Sequence, residues 1–316
     1  MGLGDVISRK IAFVFPGQGS QYVGMGKSLY EVSAAARKVF HQADEIMGFS
    51  LSSICFDGPD EELNDTINAQ PAILTVSLAY LEALKERWHT LGSSVAPVAV
   101  AGHSLGEFTA LVAAGVLDFA DALRLVRERG RLMKESGDLI PGGMAAVIGL
   151  EREELEAVCE EAGAVGIVVL ANDNCPGQSV ISGENAALER AMTLARERGA
   201  RKVVRLGISI ASHSPLMERA EQQFAELASR IHLHEPTVPI IANITGQVVL
   251  TADDIRKEIA QQVVRPVQWT GSVREMVNGG VSTFLEVGPG NVLSGLIRRI
   301  RSDVEVVTIK DFGLRG

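Results

Sequence analysis

The segment Gly102-His103-Ser104-Leu105-Gly106 sets a serine between two glycines, the spacing that lets a strained strand-to-helix turn lift a hydroxyl above a sheet. An apolar stretch from Pro97 to Ala101 precedes it and an alanine-rich helix start from Glu107 to Ala114 follows, so the context of a nucleophile elbow stands on both sides. The competing reading is a glycine-rich helix cap with a solvated serine. A serine attacks only when a base takes its proton, and an imidazole neutral near pH 7 suits that role. Of the six histidines, His41, His89, His232 and His234 lie in helical or polar stretches and read as surface residues. His103 sits in the turn itself, where its ring should point away from the serine. His213 follows an apolar strand expected to end at Ile210, and the Ser214-Pro215 after it reads as a helix start with Pro at the first position. That places His213 at the mouth of a sheet as the candidate base.

Attack on a carbonyl creates an oxyanion, which needs two preorganised backbone N–H donors. One is expected from Leu105, directly after the serine. The other is expected from a glycine loop after a neighbouring strand, and Gly17-Gln18-Gly19 fits, with Gln18 as donor. The HGGG-type loop of lipases is absent. The loop is no dinucleotide fingerprint either, because the glycine needed at position 22 is Tyr22, and there is no Walker lysine. Arg129 lies four residues after Leu125 and three before Leu132, which puts a guanidinium on the apolar face of a helix. An arginine buried there would demand an anion, and its planar fork suits a carboxylate. On spacing alone, a snorkelling arginine or a structural ion pair is the simpler reading.

The elements that must hold these residues are legible in outline. Ile11 to Phe15 reads as a buried strand before the glycine loop, and a helix runs from the N-cap Asp118 to about Glu135. Then come strand Met144 to Leu150, helix Glu151 to Glu161, strands Ile167 to Ala171 and Gln178 to Ser182, helix Glu184 to Arg198 and strand Lys202 to Ile210. That order is βαββαβ, the ferredoxin-like pattern. Helix after His213, strand Val238 to Ala242, helix Asp253 to Val263 and strand Thr283 to Val287 resume the α/β rhythm. The expected fold class is therefore α/β, a parallel-sheet large domain (1–138 and 212–316) with a ferredoxin-like insert at 139–211.

Composition agrees with a soluble enzyme. The 316 residues are 46% hydrophobic and 22% charged, and the 32 glycines gather after apolar runs rather than in low-complexity tracts. A net charge of -9 argues against nucleic acid or anionic lipid as partners. Cys55, Cys159 and Cys175 are far apart with no CxxC, so neither a disulfide framework nor a metal site is expected. Arg9 and Lys10 precede only the short strand from Ile11, too brief for a signal peptide or membrane span, and a cytoplasmic location follows.

Seven motifs in one order carry a resemblance. Phe15-Pro16-Gly17-Gln18-Gly19-Ser20-Gln21, Gly102-His103-Ser104-Leu105-Gly106-Glu107, Arg129-Gly130 with Met133, Ala171-Asn172 with Pro176-Gly177-Gln178, Ser212-His213-Ser214, Arg265-Pro266-Val267-Gln268-Trp269 and Glu286-Val287-Gly288-Pro289-Gly290 together resemble the malonyl-CoA:acyl-carrier-protein transacylases and the acyltransferase components of polyketide synthases. The family's fold is a hydrolase-like α/β domain with a ferredoxin-like insert. The resemblance implies Ser104 as nucleophile, His213 as base, Gln18 and Leu105 as oxyanion donors and Arg129 as the clamp on the malonyl carboxylate. It further implies that the backbone carbonyl of Gln262 holds the histidine, and that Asn172 and His103 line the pocket. The implied reaction is ping-pong transfer from malonyl-CoA to the phosphopantetheine thiol of an acyl carrier protein, in fatty-acid or polyketide synthesis, with no cofactor. An editing acyl hydrolase or thioesterase on the same fold is the alternative, and an idle docking module of a synthase is a second. Ile210-Ala211-Ser212 before the base leaves malonyl and branched malonyl units both open. Carrier proteins are typically acidic, so a local basic dock is needed: Arg298, Arg299 and Arg301, and Arg201 with Lys202, are the candidates, although charged helix ends are ordinarily just solvated.

Overall fold

The computed structural model describes residues 10–313; residues 1–9, including Arg9, and 314–316 lie outside the described residues. The strands in chain order are β1 (Ile11–Phe15), β2 (Ala99–Gly102), β3 (Gly142–Ile148), β4 (Val168–Cys175), β5 (Gln178–Glu184), β6 (Lys202–Arg205), β7 (Ile240–Ile241), β8 (Val248–Val249), β9 (Thr283–Glu286) and β10 (Glu305–Thr308). They form a six-stranded sheet in the order β10-β9-β1-β2-β7-β8 and a four-stranded sheet in the order β4-β5-β3-β6. In the first, every pairing is parallel except the edge pair β7–β8. In the second, every pairing is antiparallel, and the order is that of a ferredoxin-like βαββαβ unit.

The parallel sheet is covered on both faces, which is why its strands read as unbroken apolar runs. Side-chain alternation splits β1 between the two covers. Phe13 and Phe15 join the larger core with the helix Thr66–Thr90, while Ala12 and Val14 join a second core with the helices Trp269–Asn278 and Val292–Ile300. The helix Thr66–Thr90 is buried nearly all round, so it carries no amphipathic stripe for a sequence reading to find.

The antiparallel layer repeats the logic on a smaller scale. Ala145 and Val147 of β3 and Ile181 of β5 pack beneath the helices Arg152–Ala162 and Asn185–Glu197. Met144 and Val180 point the other way, toward the cleft between the sheets. The layer is joined to the body along β4: Asp173 N–H donates to Val267 O (2.9 Å), Val267 N–H to Ala171 O (2.8 Å), and Thr270 Oγ1 to Asp173 Oδ1 (2.7 Å).

Two expectations need correction. β6 stops at Arg205 instead of running to Ile210, so residues 206–212 are irregular and His213 is reached through a loop. β4 runs to Cys175, past Ala171, so Asn172 lies inside a strand, at a register shift against β5 and bridged to Val267. That bridge supplies the backbone partners that let the strand continue. No helix among the described residues is long and apolar enough to cross a membrane.

Candidate active site

Parallel pairing aligns Phe15 of β1 with Gly102 of β2, so the Gln18 loop and the Ser104 turn leave the sheet side by side, at the carboxyl ends where α/β sheets collect ligands. The turn is tight enough to dictate its glycines. A Cβ on Gly102 would lie 1.9 Å from the Gly106 carbonyl, and one on Gly106 would lie 2.1 Å from Phe15 O. Between them Ser104 is held at φ 50°, and His213 at φ 57°; they are the non-glycine residues with positive φ among those described.

These two residues meet. Ser104 Oγ is 2.8 Å from His213 Nε2. His213 Nδ1 is 2.9 Å from Gln262 O and 3.0 Å from Arg265 O, acceptors that require the proton on Nδ1 and leave Nε2 free to accept from the serine. Among the described residues no carboxylate bonds to the ring. Burial, aided by the Arg129 charge, lowers the His213 pKa to about 3, so the ring is neutral at physiological pH.

Arg129 is 1% exposed, which overturns the snorkelling reading, and its hydrogen bonds among the described residues run to no carboxylate, which overturns the ion pair. One terminal nitrogen, Nη1, donates to Gln70 Oε1 (2.9 Å); the other, Nη2, donates to Gln262 Oε1 (2.9 Å) and Ser104 Oγ (3.2 Å). Its buried Nε has no partner among the described residues. Burial lowers its pKa to about 10, well above neutrality, so a full positive charge stands beside the serine, held by neutral partners: two amides, the serine hydroxyl and the Phe108 ring, 5.6 Å away.

The cleft over these groups encloses about 430 Å³ and is lined by Gln18, Ser104, Arg129, Asn172 and His213, among others. His103 also lines it, fixed by Asn174 Oδ1 at 2.8 Å. Asn172 presents a buried Oδ1 with no partner among the described residues. A second cavity of about 230 Å³ shares Gln18, His103 and Asn172 and runs outward past Gln178 and Val292. Gln18 lines the cleft with Ser104, and Leu105 directly follows the serine at the head of the helix Gly106–Ala113.

The sequence reading missed three residues that organise the site. Gln70 anchors Arg129 and donates to Thr66 Oγ1 (3.3 Å), which in turn donates to Gln18 Oε1 (2.9 Å). Asn243 Oδ1 accepts from Ser104 N–H (2.7 Å) while its Nδ2 donates to Gly102 O (2.7 Å), pinning the strained turn. Its place just after β7, the strand beside β2, was the available signal. Glu107, quoted in the elbow motif without a role, accepts from Asn243 N–H (3.0 Å) and from Gln262 Nε2.

The basic candidates fall out unequally. Arg301 is paired with Asp303 (2.6 Å), so its charge is already compensated. Arg299 donates to Gln178 Oε1 and to Pro176 O (3.2 Å), and Arg298 to Val306 O (2.9 Å). Arg201 and Lys202 are exposed beside Gly149, whose N–H donates to Gly177 O (2.8 Å). Arg299 and the Arg201-Lys202 pair thus flank one turn, Pro176-Gly177, near the outer cavity.

The family model for the acyl transferase domain matches residues 12–310. A malonyl CoA-acyl carrier protein transacylase from Bacillus subtilis is 44% identical over 303 residues, covering 96% of this chain and 94% of the relative. The Escherichia coli K12 protein of the same name is 43% identical over 291 residues, covering 92% and 93%. Among solved structures, the transacylase of Coxiella burnetii superposes with a TM-score of 0.91 at 38% identity, covering 96% of this chain and 95% of that one. A malonyl-transacylase in complex with a type II PKS acyl-carrier protein superposes at 0.89 and 39% identity, covering 95% and 94%. With a serine–histidine pair, a buried guanidinium and this fold matched nearly end to end, the chain belongs to the malonyl CoA-acyl carrier protein transacylases, a family of acyltransferases.

Proposed function

We propose that this protein transfers a malonyl group from malonyl-CoA to the phosphopantetheine thiol of an acyl carrier protein through an ester on Ser104. The observation that carries the substrate choice is Arg129: a fully buried cation, held by the Gln70 and Gln262 amides and 3.2 Å from the reacting hydroxyl. A carboxylate at the far end of a short acyl group supplies the counter-charge that the protein withholds.

In the first half-reaction Ser104 Oγ attacks the thioester carbon as His213 Nε2 takes its proton. The N–H groups of Gln18 and Leu105 receive the oxyanion. Collapse breaks the C–S bond, and the imidazolium returns the proton to the departing CoA sulfur. In the second, His213 takes the proton of the pantetheine thiol, the sulfur attacks the Ser104 ester, and the proton passes back to Ser104 Oγ. The two backbone carbonyls on Nδ1 keep the ring in one tautomer through both halves without adding a negative charge beside the malonyl carboxylate. CoA is a substrate here, and the scheme calls on no cofactor.

The outer cavity past Val292 and Gln178 suits the pantetheine arm, and Arg299, Arg201 and Lys202 around the Pro176-Gly177 turn, with Arg298 beside Arg299 on the same helix, suit an acidic carrier. The stretch 139–211 serves as the insert that roofs the cleft, with 1–138 and 212–316 as the catalytic body. Cytoplasmic operation is part of the same reading.

Intact-mass spectrometry tests it. Purified protein given malonyl-CoA or acetyl-CoA, then a phosphopantetheinylated carrier, should acquire malonyl and pass it to the carrier, while Ser104→Ala acquires nothing. An acetyl adduct in preference to malonyl would refute the substrate choice, and decay to free acid with the carrier left unloaded would refute transfer in favour of hydrolysis.

A further inference from the structure

Glu107 is the carboxyl group nearest Arg129 in the hydrogen-bond network, and it stands one amide away. Gln262 lies between them. Because a guanidinium can only donate, the oxygen of the Gln262 amide must face Arg129, as it does at 2.9 Å. Its Nε2 then points to the opposite side, where it donates to Glu107 Oε2 and to Ser104 O (3.0 Å). Glu107 Oε1 is occupied by Asn243 N–H (3.0 Å), so the carboxyl is anchored from the body and cannot follow the amide. Glu107 is 1% exposed and Gln262 fully buried, so no solvent competes for these bonds.

We propose that Glu107 is a positioning residue that sets acyl selectivity: by accepting from Gln262 Nε2 it locks the amide with its oxygen toward Arg129, keeping the guanidinium oriented but electrically unpaired for a substrate carboxylate. The inference rests on the malonyl-transfer reading above and adds a device to it. A carboxylate placed directly on Arg129 would hold the side chain as firmly and cancel the charge the substrate needs. Interposing a neutral amide separates the two tasks: Gln262 supplies the geometry, and Glu107, beyond it, fixes which end of the amide is presented.

The Glu107→Gln variant tests this because it preserves shape. Its new amide can still offer an oxygen to Asn243 N–H, but it then presents an NH2 to Gln262 Nε2, two donors face to face. Relief requires the Gln262 amide to turn over, which aims an NH2 at Arg129. The readout is the ratio of Ser104 acylation rates with malonyl-CoA and acetyl-CoA, by single-turnover mass spectrometry. The ratio should fall at least about tenfold in Glu107→Gln, recover to within about threefold of the parent in Glu107→Asp, and be insensitive to Glu107→Gln in an Arg129→Ala background, since coupled positions are non-additive. Should Glu107→Gln not fold, Gln262→Met removes the same amide and carries the same expectation for the ratio. A ratio that is kept, or malonyl and acetyl rates that fall together, overturns the proposal and leaves Glu107 as a structural carboxyl. A parent protein that loads neither acyl group refutes the transfer reading itself, a result distinguishable from either.

Discussion

The buried interior of the six-stranded body and the outer surface of the four-stranded layer treat charge in opposite ways. In the body, Arg129, Glu107 and Glu258 are buried with no direct opposite charge among the described residues, and their hydrogen bonds run to amides, backbone and the Ser104 hydroxyl. In the small layer, Arg198 pairs with Glu161 (2.5 Å) and Arg205 with Glu189 (2.7 Å), with more than a third of every one of these side chains exposed. Exposed pairs of that kind contribute little, about 0–1 kcal/mol each. The layer gives the cleft its walls, Met144, Asn172 and Val180. Charge compensated at the surface keeps a layer soluble. Charge left uncompensated inside costs stability and is available to a substrate.

The largest expected effect tests the body. Arg129→Ala should lower malonyl loading of Ser104 by roughly 10²- to 10³-fold, the range expected when one partner of a buried charge pair is removed. It should also raise the His213 pKa from about 3, because the Arg129 charge is one of the causes holding it down, yet leave it below 6.5, because burial is the larger cause. Single-turnover kinetics and an NMR titration of the ring check both. A small loss would make Arg129 no different from the surface arginines.

A second test uses Glu258, whose carboxyl accepts from Ile244 N–H (2.8 Å) and is pushed by burial from 4.5 to about 7. The unfolded chain releases that proton near 4.5 and the folded chain only near 7, so the stability tied to the protonated form is full below 4.5 and lost as pH rises to 7. Glu258→Gln keeps an oxygen for Ile244 and should gain about 1–3 kcal/mol at pH 8, the gain vanishing near pH 4.5. Urea unfolding at both pH values measures it. In the small layer Glu189→Gln, which breaks an exposed pair, should change stability by less than about 0.5 kcal/mol, and equal responses would erase the contrast.

The smallest effect belongs to the wall. Asn172→Ala should reduce malonyl loading by no more than about tenfold, a hydrogen-bond-sized loss, measured as kcat/KM. A loss matching Arg129→Ala would make the layer part of the charge machinery.

Sequence carried the strands and the reacting groups because their signals are local. β1 was read to the residue, since a fully buried parallel strand is an unbroken apolar run. The elbow announces itself through glycines whose Cβ atoms could not exist there. The helix Thr66–Thr90 went unread because burial on all sides leaves no stripe, and Gln70 was lost with it. Asn243 and Glu107 act through partners 136 or more positions away, a relation that no spacing encodes. Apolar residues continue past Arg205, which makes β6 look longer than it is: the ladder to β3 ends with Leu206 N–H on Met144 O (2.8 Å), and the side chains of Leu206 and Ile208 line the cleft.

Every other described residue with positive φ is a glycine, and Ser104 and His213 are the exceptions. Left-handed backbone at such residues typically costs about 1–3 kcal/mol each, and the usual remedy, a glycine, would delete the hydroxyl or the ring. No substitution can therefore remove this cost and keep the reaction. Selection for sturdiness is barred from the two positions where it would gain the most, and must act on the body around them.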